Sequence, residues 1–221
     1  MLVSCICPTT SNRKRFWPDM LRCFAGQTHP EKELIFIVDT VAEADALINT
    51  TGRPEKVTTI IAGATLGDKR NAGCEFARGQ IIAHFDDDDL YAPGHLAHLA
   101  EAIADSGNAV AGYTSTVMRE MRRVTVGGRK TSGWWTLRSD TLLGGALAYR
   151  RDWWMDHPFE SVNVGEDNSF IAAAQKSGQA IDAGSGHLYY CLRNHAGNVS
   201  GRVVIEGPDC VELSGSAGFD A

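Results

Sequence analysis

The sequence predicts an α/β protein, a sheet flanked by helices in a single domain. Three observations carry that expectation. Short apolar runs of strand length alternate with helix-spaced stretches over roughly the first half of the chain. One of those runs, residues 81–85, ends directly in four consecutive aspartates, Asp86 to Asp89. The length, 221 residues with 43% hydrophobic content, suits one domain of moderate size with a sizeable core.

The elements follow in order. Residues 2–7 are an apolar run that ends in the polar loop Pro8-Thr9-Thr10-Ser11-Asn12, which predicts a buried strand and then a turn. Residues 16–24 have helical apolar spacing. Residues 34–38 form a second strand, closed by Asp39, and residues 41–48 a second helix. Residues 57–61 read as a third strand. Residues 67–78 read as a helix entered from a glycine turn, and 81–85 as the fourth strand. From Pro93 a helix pattern places Leu96, Leu99, Ala100 and Ile103 on one face, with Gly107 as its stop. Beyond Ala109 the pattern changes. Residues 109–113 predict a strand, 117–126 before Gly127-Gly128 a hairpin, 170–175 a short helix and 188–192 a late strand. No internal repeat or linker is visible. The expected domain is 1–200, in two halves at about 1–110 and about 111–200. Residues 201–221, rich in Gly and Ser, read as a tail or lid.

Charge and cysteine usage narrow the function. The net charge is −6, from 21 basic and 27 acidic residues, so no overall basic field points to nucleic acid. The local clusters Arg119, Arg122, Arg123, Arg129 and Lys130, and Arg13-Lys14-Arg15, are the exceptions. Six scattered cysteines form no CxxC pair, which argues against a zinc ribbon. Cys5 and Cys7 share one face of the first strand and read as buried free thiols in a reducing compartment. No basic leader precedes the N-terminal apolar run, and no stretch approaches the roughly 20 apolar residues of a membrane span. A cytoplasmic protein is the expectation.

The acidic block carries the chemistry. Carboxylates packed this closely raise each other's pKa, so the block is costly unless a cation sits there. Hard divalent cations take oxygen ligands and share them with substrate phosphates. In open α/β sheets ligands bind at the C-terminal ends of strands. A run of Asp is also often a solvated turn. The strand before the block and the helix after it favour an ordered site for Mn²⁺ or Mg²⁺ with a diphosphate.

These motifs resemble glycosyltransferase family 2, with its GT-A fold. The match runs through Gly67-Asp68-Lys69-Arg70-Asn71-Ala72-Gly73 and Ala77-Arg78-Gly79-Gln80, then on through the fourth strand into Asp86-Asp87-Asp88-Asp89. The opening Val3-Ser4-Cys5-Ile6-Cys7-Pro8-Thr9 is similar to the family's first strand, and Ile37-Val38-Asp39 to its second. Gly165-Glu166-Asp167 looks like its later acidic pair, and His195-Ala196-Gly197-Asn198-Val199-Ser200 like a motif near its end. One departure stands out: a single acid, Asp39, follows the second strand where the family often has two.

The resemblance implies a Rossmann-like mixed sheet and a metal-dependent, inverting transfer from a nucleotide-sugar donor, a UDP-sugar first. It implies Asp86 and Asp88 as metal ligands, with His195 completing the shell. Asp87 would meet the sugar or ribose, and Asp89 would be structural, helping to cap the next helix. Asp167 would be the general base, with Glu166 beside it; the alternative is that both acids merely favour a helix N-terminus. Thr9, Arg13, Asp39, Lys69, Arg70 and Asn71 would line the donor pocket, Asp39 on the base or ribose; surface charge is the alternative for Lys69 and Arg70. Gly145, beside Gly144, and Trp135 are acceptor-side candidates. The acceptor stays open among a saccharide, a lipid-linked glycan, a small molecule and a nucleic acid. A nucleotidyltransferase is disfavoured because the first strand leads into no Gly-rich loop. A non-catalytic glycan- or metal-binding module is disfavoured by the intact acids.

Overall fold

The computed structural model describes residues 1–52, 56–120, 124–126, 129–131, 134–184, 188–193 and 210–212. Its centre is a mixed seven-stranded sheet. Strands β1 (Val3–Pro8), β2 (Lys32–Val38), β3 (Val57–Ile61) and β4 (Ile81–His84) run parallel, in the order β3-β2-β1-β4. The sheet continues through β11 (Ala148–Arg150), antiparallel to both its neighbours, to β6 (Val110–Gly112) and β12 (Ala180–Asp182). Strand order therefore reverses direction at β1. That places a crevice beyond the C-terminal ends of β1 and β4.

Alternation along the strands sorts the core into two layers. Cys5 and Cys7 of β1 face one way, with Leu34 and Phe36 of β2, and pack with α1 (Trp17–Ala25) and α4 (His95–Ser106). Ile6, Ile35 and Ile37 face the other way and pack with α3 (Leu66–Phe76) and α6 (Glu166–Lys176). Both cysteines are buried free thiols. Each fully buried large apolar side chain contributes about 1.5–3 kcal/mol. Helix α2 (Val41–Thr51) is capped by Thr40, whose hydroxyl accepts from the Glu43 N–H. Helix α4 stops at Gly107, which takes the left-handed conformation (φ 73°) that glycine adopts without strain.

A second sheet of five strands lies against this core, in the order β14-β10-β7-β13-β5. Its members are β5 (Leu90–Tyr91), β7 (Ser115–Glu120), β10 (Trp134–Arg138), β13 (Tyr189–Arg193) and β14 (Cys210–Glu212). Strands β8 (Val124–Val126) and β9 (Arg129–Thr131) pair antiparallel on either side of residues 127–128. The hairpin expected from 117–126 before Gly127-Gly128 is met by this ribbon, while residues 115–120 belong to the second sheet. Strands β5, β11 and β12 and helix α5 (Arg151–Asp156) have no counterpart in the sequence reading. Two- and three-residue strands are too short to show a period. Of residues 201–221, expected as a tail or lid, only β14 is described. Among the described residues no helix is long and apolar enough to cross a membrane.

At the end of the sheet away from the crevice, Glu33 holds a buried polar network. It accepts from Ser4 Oγ (2.6 Å), from Arg78 N (2.9 Å), and from Arg78 Nε and Nη2 (2.8 and 2.5 Å). Burial works against its charge, but these donors prevail and hold its pKa below 4.5. A depressed carboxylate pKa stabilises the fold above the unfolded value, and that stability is lost as pH falls through the folded value. Glu33→Gln is expected to lower unfolding free energy at pH 7 by about 1–3 kcal/mol in urea titrations. The gap from wild type should close as pH falls below 4.5.

Candidate active site

The crevice is a cleft of about 380 Å³. Its walls come from the loops after β1, β2 and β4, the start of α3, the Gly144–Ala146 turn and the loop leading into α6. Of the residues expected at the site, Thr9, Arg13, Asp39, Lys69, Arg70, Asp86, Asp88, Gly145, Glu166 and Asp167 all line it.

The acidic turn divides into two pairs. Asp86 and Asp88 line the cleft. Asp87 is turned inward with its side chain fully buried. It accepts from Thr9 Oγ1 and from Arg13 Nε (2.6 Å), and Trp17 Nε1 donates to Thr9 in turn (2.8 Å). Burial raises the Asp87 carboxyl, Arg13 opposes the rise, and Asp88 adds to it. Arg13 also pairs with Asp88, so one guanidinium spans two carboxylates. Asp89 is buried and accepts from Tyr189 Oη (2.5 Å). Helix α4 is capped at Gly94 without a side-chain bond, so Asp89 is structural but is not its cap.

Helix α3 delivers two cations into the cleft. Thr65 and Asp68 form a reciprocal capping box that fixes the helix start. Lys69 is 7% exposed and Arg70 3%, which removes the surface-charge alternative. Lys69 Nζ meets Asp39 Oδ1 at 2.8 Å. Arg70 Nε donates to Glu166 Oε1 (2.9 Å), and its Nη1 and Nη2 both reach Asp86 Oδ1 (3.3 Å). Burial disfavours the Arg70 charge, but Asp86, Glu166 and Asp167 outweigh it and raise its pKa. Burial raises Glu166, against the pull of Arg70.

Asn71 does not join the cleft lining. Its Oδ1 accepts from Trp154 Nε1 and Phe159 N (both 2.9 Å), and its Nδ2 donates to Phe159 O (2.9 Å). It ties residues 154–159 to α3. His195 lies outside the described residues. Trp135 stands on β10, opposite Met118 of β7 and Glu212 of β14.

The Gly144-Gly145 pair lies against the carboxylates. A Cβ on Gly144 would overlap Asp167 Oδ2, and one on Gly145 would lie 2.9 Å from Asp89 Oδ2 and 3.2 Å from Asp86 Oδ2. Neutral His84 holds this turn from below. Burial first, and then the Arg70 charge, push its pKa well down. Its Nδ1 lies 2.6 Å from the Gly144 carbonyl, which can only accept, so the proton is on Nδ1. Tyr149 Oη contacts the other ring nitrogen at 3.3 Å. His84, Tyr91, Tyr149 and Tyr189 were not singled out in the sequence, where each reads as an ordinary core aromatic.

The donor set suits a hard divalent cation. Five carboxylates line the cleft against three cations, an excess of two negative charges where an anionic diphosphate would have to enter. Among the described residues no group of three His, Cys, Asp or Glu side chains is arranged to hold an ion alone. Asp86 and Asp88 would therefore share the ion with a substrate phosphate, as Mg²⁺ sites commonly do.

The same architecture recurs in solved structures. S. aureus TarS 1–349 in complex with UDP-GlcNAc aligns over 92% of this chain and 62% of its own, with TM-score 0.67 and 21% identity. The S. aureus TarS 1–349 structure aligns over 87% and 60%, with TM-score 0.64 and 20% identity. A further S. aureus TarS structure aligns over 87% and 37%, with TM-score 0.59 and 21% identity. The chain thus spans about 60% of the TarS 1–349 chains. At this identity the likeness establishes the fold, which is GT-A. The model of the family "Glycosyl transferase family 2" matches residues 5–154, and the chain belongs to that family. No curated protein sequence matches the chain.

Because Asp167 rests on Gly144, a single methyl group tests the arrangement. Gly144→Ala is expected to cut turnover on the order of 100-fold, since a misplacement of about 1 Å costs that much. Nucleotide affinity, measured by calorimetry, should change little.

Proposed function

We propose that this chain transfers a sugar from a nucleotide-sugar donor to an acceptor hydroxyl, with inversion and in dependence on Mn²⁺ or Mg²⁺. The observation that carries the reading is the Arg70 bridge: one buried guanidinium joins Asp86 of the acidic turn to Glu166, with Asp167 next in the chain and lining the same cleft. Donor-side and base-side groups are thereby held together. Family membership and the UDP-GlcNAc bound to TarS support a UDP-sugar as the first donor to test.

Roles follow from the contacts. Lys69 holds Asp39 at the end of β2, within reach of a base or ribose in the cleft. Arg13 pairs with both Asp87 and Asp88 and ties the acidic turn together. Asp86 and Asp88 would hold the divalent cation, which would supply Lewis-acid stabilisation of the leaving diphosphate. Glu166 is committed to Arg70, which leaves Asp167 to accept the acceptor hydroxyl's proton. Family membership is what supports inversion, a single displacement at the anomeric carbon. Gly145 and the exposed Val164 border the acceptor side of the cleft. A saccharide, lipid-linked glycan, small molecule or nucleic acid is the class of acceptor to screen, in a cytoplasmic setting.

The test is a thermal-shift and calorimetry panel of UDP, GDP, CDP and TDP with Mn²⁺ or Mg²⁺. UDP with Mn²⁺ is expected to stabilise the protein, and EDTA or Asp88→Ala to abolish the effect. Undiminished UDP binding in Asp88→Ala with Mn²⁺ would overturn the metal assignment. Asp167→Asn is expected to keep UDP binding and lose about 10²–10⁴-fold in turnover, the range for a general base. Full activity in that variant would remove Asp167 as the base.

A further inference from the structure

Tyr91 takes no part in the chemistry above, yet it touches both sides of the site. It ends β5, five positions after Asp86. Its ring is buried, stacked on Phe85 at 4.0 Å and tilted against His95 and Tyr189 at 4.8 and 5.5 Å. Its hydroxyl accepts from the Asp86 N–H (2.7 Å) and donates to the Gly145 carbonyl (2.9 Å). A phenol has one proton, so the direction of each bond is fixed. One oxygen atom therefore joins the backbone of the acidic turn to the backbone of the glycine turn.

The glycine turn is held at its other carbonyl by His84 Nδ1, also on the acidic-turn strand. Asp167 packs on Gly144. A continuous path thus runs from the Asp86 amide through Tyr91 Oη and the Gly145 carbonyl to Gly144 and the Asp167 carboxylate. Arg70 links the same two sides through side chains. Tyr91 links them through main chain, which sets where the side chains start from.

We propose that Tyr91 is a positioning residue that fixes the separation between the donor-side Asp86 and the base Asp167. The proposal rests on the glycosyltransferase reading for its kinetic consequence, but not for its structural one.

Tyr91→Phe removes the hydroxyl and keeps the ring and its packing. Three measurements on both proteins test it: steady-state release of UDP from a UDP-sugar with Mn²⁺, calorimetric UDP–Mn²⁺ binding, and backbone hydrogen exchange. The expected result is a kcat lower by about 10–100-fold, with donor KM and UDP affinity within about threefold of wild type. Faster exchange should be confined to residues 84–91 and 142–147. A kcat within about twofold of wild type would overturn the proposal, given the cost of small misplacements. So would a parallel fall of kcat and UDP affinity with faster exchange throughout the sheet, which marks a merely structural role. If wild type releases no nucleoside diphosphate from any sugar nucleotide, the glycosyltransferase reading falls. Exchange then decides alone: unchanged protection of the two segments in Tyr91→Phe overturns the tether, and faster exchange confined to them supports it.

Discussion

The cleft depends on one buried cation. Arg70 sits almost without solvent between Asp86 and Glu166, groups 80 positions apart in the chain. A buried guanidinium without partners would cost several kcal/mol, so the acids that face it cannot drift without exposing that cost. In the other direction, Asp86, Glu166 and Asp167 converge on one point and would repel one another without it. The arrangement is mutually enforced. It ties the start of α6 to the end of β4, and hence a group able to take a proton to groups able to face a diphosphate. Arg13 repeats the device one step along, spanning Asp87 and Asp88.

That logic explains why four aspartates in a row are not four equivalent ligands. The turn after β4 alternates its side chains. Asp86 and Asp88 reach the cleft, while Asp87 and Asp89 point into the protein and meet Thr9, Arg13 and Tyr189. The inward pair fixes the backbone, and the outward pair carries what charge is left. Counted over the cleft, that charge amounts to two negative units beyond what Arg13, Lys69 and Arg70 cancel. An anionic sugar nucleotide would meet repulsion there unless it arrived with a divalent cation. Charge balance and oxygen donors both support the proposed metal dependence.

The sequence displayed the fold's parallel half clearly. Strands β1, β2 and β4 are built around apolar runs, β3 is the β-branched stretch Val57-Thr58-Thr59-Ile60-Ile61, and the helices between them carry helical spacing or caps. It also displayed the charged site residues, because Asp, Glu, Lys and Arg next to strand ends are conspicuous. What it hid were the supports. Asn71 sits inside the family-like motif and reads as a ligand residue, yet its amide is spent on Trp154 and Phe159, more than 80 positions away. Whether Asp87 faces in or out depends on the turn's geometry, which composition does not encode. Tyr91 and Tyr189 belong to strands of two and five residues whose partners are remote in sequence. The Gly144-Gly145 pair was legible as a place of close approach. Which groups come close, the carboxylates of Asp86, Asp89 and Asp167, was not.

The glycine pair shows why such supports matter more than their chemistry suggests. Neither residue carries a functional group, and neither needs an unusual backbone angle. Their contribution is the volume they leave vacant. Three carboxylates approach the space a side chain would fill, two buried ring donors hold the two carbonyls in place, and Arg70 draws the acids together from the opposite side. Carboxylates held this close repel one another, and a divalent cation bound among them would relieve that repulsion. The cleft's geometry is set by buried groups, His84 and Tyr91 on the glycine turn and Arg70 between the acids, and it keeps a negative excess at the C-terminal ends of the parallel strands.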